Sequence, residues 1–357
     1  MQIAVYSNTT NSLGSETPLT ESRLPLVAII VLNWNGVYDT IECLESIYRI
    51  DYPNYVVIVV DNGSQDDSVL RLRNFASGEA VEKAQIEPQA GPPPRRRLVI
   101  YSQKEAELGG SNEGAVVSLE ASRRLIVITN NSNLGFSEGN NVAMRYAARA
   151  LRPKYFLLLN NDTIVDSAFL TRLVDVAESN PRIGILGPQI RPYYAGTRKE
   201  VSECGGRIEW MVYPGYVQNF DRSGVQTSGD SKFVCCDWTS GAALMLRDQS
   251  LAGRFLDNAY FFGCEDVEIC IRLRKLGYLV AAVPTSIVYH KGGRSREKKY
   301  PGHAHDIIAS ARTNLSFVRR NAPLPILVGS IHIFQICAIL LLLTARRVIQ
   351  TPTIKNC

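Results

Sequence analysis

Among the eight cysteines of this 357-residue sequence there is no C-x-x-C pair. No G-x-G-x-x-G follows the first apolar run, and no G-x-x-x-x-G-K-[ST] occurs anywhere. The missing glycine motifs leave dinucleotide and P-loop chemistry without their usual anchors. Adjacent Cys235 and Cys236 cannot form an unstrained bridge, and a chain of this size needs no staples. The cysteines therefore read as reduced thiols of a cytosolic compartment. Residues 1–24 are polar, rich in Ser and Thr, and lack the apolar core of a secretory signal. Internal repeats are absent as well.

Charged residues at 20% and aromatics at 8% suit a folded enzyme and exclude a disordered chain. Hydrophobic residues, 45% of the total, can bury the core of one large α/β domain or two smaller ones. The net charge of +5 is mild and concentrated in Arg95-Arg96-Arg97 and KGGRSREKK (291–299). The first cluster reads as a solvated loop; the second suits phosphates or an anionic membrane surface. LPILVGSIHIFQICAILLLL (324–343) is nearly continuous apolar sequence between Arg319-Arg320 and Arg346-Arg347. Its length is about enough for a bilayer, although His332 and Gln335 weaken it. Membrane association is expected as a span, hairpin or interfacial helix. A helix packed on the domain or an oligomer contact is the alternative.

LPLVAIIVLNW (24–34) and YVVIVVDNGS (55–64) are the β-branched runs of strands buried on both faces. RLIVITN (124–130) and YFLLL (155–159) repeat the pattern. Helices are expected over 37–49, 66–76, from the NLGFSEGNN segment to about 150, over 167–179 and over 269–278. LVAAVP (279–284) adds a strand. Short strands are expected near 206–213 and 242–246, in a mixed, Gly-rich section from 183 to 260. Residues 77–122, with Gly91-Pro92-Pro93-Pro94 and one plausible strand at 98–102, read as an insertion or elaborated loop. Strand–helix alternation of this kind predicts a Rossmann-like, mostly parallel α/β sheet with helices on both faces.

Four of these strands end in polar, ligand-capable residues: Asn33-Trp34-Asn35, Asp61-Asn62, Asn130-Asn131 and Asn160-Asn161-Asp162. One such ending is a turn; four aligned along the carboxyl edge of a parallel sheet make a polar ligand site. Asp61 suits a base or ribose. Asp162 suits a divalent cation that in turn holds a diphosphate. Glu265, Asp266 and Glu268 open a helical pattern. Acids favour a helix N-terminus in any case, but Phe261 and Phe262 beside them point to a desolvated carboxylate with a raised pKa. Glu268 is spaced to pair with Arg272.

IIVLNWNG…CLESI, VVDNGSQDDS, NLGFSEGNN, LLLNNDT and FFGCEDVEICIRLRKLGY occur in this order. In that arrangement the chain resembles family 2 glycosyltransferases of the GT-A fold, the rhamnosyltransferase-like branch in particular. The resemblance implies a polar tail (1–24), a glycosyltransferase domain (25–320, interrupted by 77–122) and an apolar C-terminal segment (321–357). It implies a nucleotide pocket from Asn33, Trp34, Asn35, Asp61 and Asn62. Donor sugar and phosphates would meet Asn133, Gly135, Asn140, Asn141 and Asn161, with Trp238 as a stacking platform. Asp162 and His290 would hold Mg²⁺ or Mn²⁺. Here Asn160 replaces the first acid of the family's D-x-D-like motif. Asp266 would be the base, and Glu265 would position the acceptor.

The implied reaction is inverting, metal-dependent transfer of a sugar, rhamnose among the candidates, from a nucleotide diphosphate sugar to a glycan or lipid-linked hydroxyl. The implied place is the cytoplasm or the cytoplasmic face of a membrane, with a membrane surface but no nucleic acid as partner. A sugar-nucleotide-binding protein without transferase activity, or a nucleotidyltransferase on a related scaffold, are the competing readings.

Overall fold

The computed structural model describes residues 24–79, 95–111, 113–194, 202–221, 232–292 and 303–350. Strands β1 (Val27–Asn33), β2 (Tyr55–Asp61), β3 (Arg97–Ser102), β4 (Arg124–Thr129) and β5 (Tyr155–Asn160) come first. With them come helices α1 (Val37–Ile47), α2 (Ser68–Ser77), α3 (Gln103–Leu108), α4 (Glu113–Val117) and α5 (Gly135–Ala150). The second half adds β6 (Thr163–Val165), β7 (Ile183–Pro192), β8 (Ser202–Ile208), β9 (Tyr216–Asp221), β10 (Val234–Cys236), β11 (Ala243–Arg247) and β12 (Leu279–His290). Its helices are α6 (Phe169–Ser179), α7 (Asp248–Leu251), α8 (Glu265–Lys275), α9 (His303–Asn321) and α10 (Pro325–Gln350).

The sheet runs β10-β12-β7-β11-β5-β1-β2-β4-β3. Its last five strands, β5, β1, β2, β4 and β3, pair in parallel. β11 is the antiparallel break, flanked by β5 and β7. Two cores explain the unbroken apolar strands. Val27, Ile29 and Val31 face the layer of α1, α2 and α6, whereas Ala28 and Ile30 face the layer of α5 and α8. β2 alternates in the same way, with Val57 and Val59 against Val56, Ile58 and Val60.

One expectation needs correction, and another is narrowed. The mixed section from 183 contains the ten-residue strand β7, well inside the sheet. Gly184, Gly187 and Pro188 disguise it. A Cβ at Gly187 would run into the Thr239 hydroxyl, so this glycine marks close packing and not a loop. The C-terminal segment is helical, but no helix among the described residues is long and apolar enough to cross a membrane. α10 instead packs on the domain through Val328, His332 and Ile336, a buried stripe four residues apart. Residues 293–302, which include Arg294 and Arg296, lie outside the described residues. The described cysteines form no disulfide.

Candidate active site

Register decides what meets at the carboxyl edge. Asn33 pairs with Asp61, and Leu32 pairs with Asn160, so β1, β2 and β5 end level. β11 runs antiparallel to β5, which brings its start, after Gly241-Ala242, to the same edge. β12 runs parallel to β7 and ends at His290 beside Thr163. Asp61, Asp162, Asp266 and His290 therefore share one rim of the sheet.

One side of the rim is a fixed polar chain. Asn33 Nδ2 donates to Asp61 Oδ1 (2.9 Å) and Ser64 Oγ (3.2 Å), while Asn33 Oδ1 accepts from Thr40 Oγ1 (2.8 Å). Thr40 in turn accepts from Asn161 Nδ2 (3.1 Å), which also reaches Gly36 O (3.3 Å). Asp61 Oδ2 accepts from Ser64 N (3.3 Å) and has lone pairs to spare. Asn35, at φ 50°, ties the turn down by accepting from Gln65 N (2.8 Å). Trp34 is partly exposed on that turn. Trp34 keeps partial exposure, whereas Asp61 is 4% exposed and held by Asn33 and Ser64.

On the other side Asp162 is buried, with its Oδ1 3.1 Å from His290 Nε2 and Asn160 Nδ2 3.4 Å from the same nitrogen. Burial alone would raise the Asp162 carboxyl. The hydrogen bond and charge of His290 outweigh it and hold the group below its ordinary value. Two ligands about 2.1 Å from one cation, on adjacent vertices of an octahedron, stand about 3 Å apart. The Asp162–His290 pair has that spacing and a hard-oxygen, imidazole donor set, so it fits a divalent cation. Among the described residues no third His, Cys, Asp or Glu joins the pair. Such a cation would fill its remaining positions with phosphate oxygens and water.

The acid pair sits on the first turn of α8 after Cys264, itself in the left-handed region at φ 69°. Asp266 Oδ2 accepts from Gly241 N (2.8 Å), and Ala242 O accepts from Asn160 N (2.9 Å). Asp266 is therefore joined to the Asn160–Asp162 turn through two residues of β-edge backbone. Burial raises the Asp266 carboxyl above its ordinary value. Burial, with the charge of Asp266 second, pushes Glu265 up to about 8. Glu265 Oε2 is buried without a hydrogen-bond partner among the described residues. Phe261 and Phe262 are 42% and 47% exposed, so the protein body and not these rings does most of the desolvation. Glu268 pairs with Arg272 at 3.1 Å, as its spacing predicted.

The glycosyl transferase family 2 description matches residues 109–234. That match spans 126 of the 357 residues. Hyaluronan synthase 2 of Mus musculus is 23% identical over 276 residues, covering 74% of this chain and 46% of that protein. N-acetylglucosaminyl-diphospho-decaprenol L-rhamnosyltransferase of Mycobacterium tuberculosis (strain ATCC 25618 / H37Rv) is 28% identical over 156 residues, 42% of this chain and 50% of that one. The chain spans about half the length of these curated relatives. The solved structure of GalNAc-T7 with UDP, GalNAc and Mn²⁺ superposes with a TM-score of 0.50 at 11% identity, over 75% of this chain and 44% of that one. The fold is GT-A.

Several residues expected to touch ligand are spent on one another. Asn62 donates to Asn133 Oδ1 and Gly135 O (both 3.1 Å) and accepts from Asn130 Nδ2 and Leu134 N. Asn133 Oδ1 also accepts from Gly135 N (2.9 Å), and Asn140 Nδ2 donates to Phe136 O (2.9 Å). Asn141 grips the backbone of Leu256 from both ends, through Nδ2 to O (2.9 Å) and from N to Oδ1 (3.0 Å). Gly135, at φ 81°, lets Phe136 N reach Phe261 O (2.7 Å) where a Cβ would collide. These residues lock α5 onto the loop that leads to the acid pair. Trp238 is 2% exposed and packs edge-on against Tyr216, so its ring faces the core. Sequence reasoning passed over Thr40, Ser64 and Gly241. The available signal for Thr40 is a hydroxyl among the core-facing positions of α1, which begins right after the NWNG turn.

Proposed function

We propose that the chain is an inverting, metal-dependent glycosyltransferase that moves a sugar from a nucleotide diphosphate donor to a hydroxyl of a glycan or lipid-linked acceptor. The carrying observation is the rim itself: a nucleotide-side acid (Asp61), a cation-holding pair (Asp162, His290) and a desolvated base (Asp266) on one sheet edge. A bound Mg²⁺ or Mn²⁺ would supply Lewis-acid neutralisation of the departing diphosphate. Asp162 and His290 would hold it there, and Asp61 with Trp34 would seat the base and ribose.

Asp266 accepts the acceptor's proton as the acceptor oxygen bonds to the anomeric carbon. The bond to the nucleoside diphosphate breaks on the opposite face, so configuration inverts. A raised carboxyl is a better base than an exposed one. Glu265, protonated near neutrality, sits beside Asp266 without adding a second negative charge. The donor favoured by the rhamnosyltransferase likeness is a dTDP-deoxyhexose, and screening sugar nucleotides for thermal stabilisation with and without Mn²⁺ identifies it.

The deciding experiment is Asp266→Asn. Transfer should fall by at least about 10²-fold, within the range for loss of a general base, while donor binding stays within a few-fold. A variant that turned over near the wild-type rate would end the assignment of the base.

A further inference from the structure

Several arginines answer to a carboxylate: Arg145 to Glu107 and Glu138, Arg172 to Asp166, Arg272 to Glu268 and Arg274 to Asp237. Arg191, near the end of β7, does not. Its Nε (3.0 Å) and Nη2 (2.9 Å) both donate to Gln189 Oε1, and no Asp or Glu pairs with it among the described residues. Gln189 is 1% exposed, so a buried amide fixes the plane of the guanidinium. Arg191 itself is only partly exposed. A guanidinium carries its N–H donors in a planar fork. Both bonds to Gln189 use the Nε edge, which leaves the Nη1–Nη2 fork open. That fork is the edge that takes a carboxylate or phosphate through two parallel bonds. A cation fixed in this way is built for an anion that the chain does not supply.

Register and alternation place the fork. Arg191 pairs with Tyr289, and the next residue pairs with His290, so Arg191 stands beside the end of β12 that bears the cation-holding histidine. Ile190 packs into the core of α1, α2 and α6, so Gln189 and Arg191 face the other layer, that of α5 and α8. Gly187 lies on the same face, two residues before Gln189, and meets the Thr239 hydroxyl. Two residues after Thr239, Gly241 N holds Asp266. Arg191 thus opens on the base's side of the rim, and β11, β5 and β1 separate its strand from β2 and Asp61. A cation between Asp162 and His290 already answers the donor's diphosphate, which leaves Arg191 for the acceptor. We propose that Arg191, oriented by Gln189, selects the acceptor by binding an oxyanion, phosphate or carboxylate, carried near the hydroxyl under attack. The inference rests on the transfer reading and deepens it by naming the charge of the acceptor.

The test is calorimetry on the full chain with Mn²⁺ and the nucleoside diphosphate that the thermal screen selects, which together fill the donor side. The probes are N-acetylglucosamine 1-phosphate, glucuronate and the neutral methyl N-acetylglucosaminide. At least one anion should bind about ten-fold or more tightly than the neutral probe, and the tighter of the two tells phosphate from carboxylate. Arg191→Gln should bring the anions level with the neutral probe, with nucleoside diphosphate affinity kept within a few-fold. Gln189→Glu keeps the shape of the side chain and sets a carboxylate against the guanidinium, so it should erase the preference while Arg191 remains. Failure of both anions to bind the wild type more tightly than the neutral probe overturns the proposal, as does a preference that survives Arg191→Gln. Weakened nucleoside diphosphate binding in Arg191→Gln overturns it too, by assigning the fork to the donor. A wild type that binds no nucleoside diphosphate sinks the transfer reading itself, and this inference with it.

Discussion

Lys291 offers the sharpest test of how the rim is held. Its ammonium contacts Asp39 Oδ1 (2.7 Å) and Glu42 on α1, and Tyr193 Oη donates to Glu42 Oε1 (2.9 Å). The Lys291, Asp39 and Glu42 side chains are 3%, 15% and 6% exposed. Burial would lower the ammonium pKa, but the two carboxylates outweigh it and raise the value. Lys291→Met removes the cation and leaves two buried carboxylates facing each other. Breaking a buried pair from one side costs about 3–5 kcal/mol. At about 2 °C per kcal/mol, the lower end expected for large domains, the melting temperature should fall by about 6–10 °C.

Lys291 N also donates to Asp162 O (2.9 Å), and the residue directly follows His290. Mn²⁺ affinity, read by calorimetry on the protein alone, should therefore weaken as well. Adding Glu42→Gln to Lys291→Met should recover part of the lost stability, because it removes one uncompensated charge. Chemical denaturation of the four proteins of this double-mutant cycle measures the coupling. A Lys291→Met variant within about 1 kcal/mol of the wild type would refute the argument, since such a value belongs to exposed pairs.

Two further outcomes follow from the rim. Asp162→Ala should weaken nucleotide diphosphate binding mainly when Mn²⁺ is present; calorimetry showing the same loss in chelator would remove Asp162 from the cation site. Glu265 carries a folded-state carboxyl raised to about 8, above the value of about 4.3 in an unfolded chain. The unfolded state thus loses this proton first, so the contribution to stability is full below about pH 4.3 and is lost as pH climbs toward 8. Glu265→Gln should flatten that part of the melting-temperature profile, and an unchanged slope would show that Glu265 is not protonated in the folded protein.

The parallel half of the sheet was legible because β1, β2, β4 and β5 are buried on both faces, which leaves unbroken apolar runs. β7 was not, since its glycines serve close packing that no local pattern reveals. Asp61, Asp162, His290 and the acid pair could be picked out because each follows a strand or opens a helix. What the chain does with Asn62, Asn133 and Asn141 was invisible: an asparagine that binds ligand and one that ties two loops together look the same in sequence. Arg96 is a similar case. Expected as part of a solvated run, it lies over the rings of Tyr48 (4.1 Å) and Phe75 (4.3 Å). An arginine that covers aromatic rings is distinguished only by neighbours distant in the chain.

Helix α1 sends Thr40 toward Asn33 and Asn161, and Asp39 and Glu42 toward Lys291, from within a single turn. A shift of this helix by a fraction of its pitch would disturb the Asn33–Asp61 contact and the Lys291 contacts next to the Asp162–His290 pair together. The two halves of donor recognition should therefore gain or lose order jointly, and substitutions that fatten the interior beneath α1 should be felt as poorer donor affinity before they are felt in the rate of transfer.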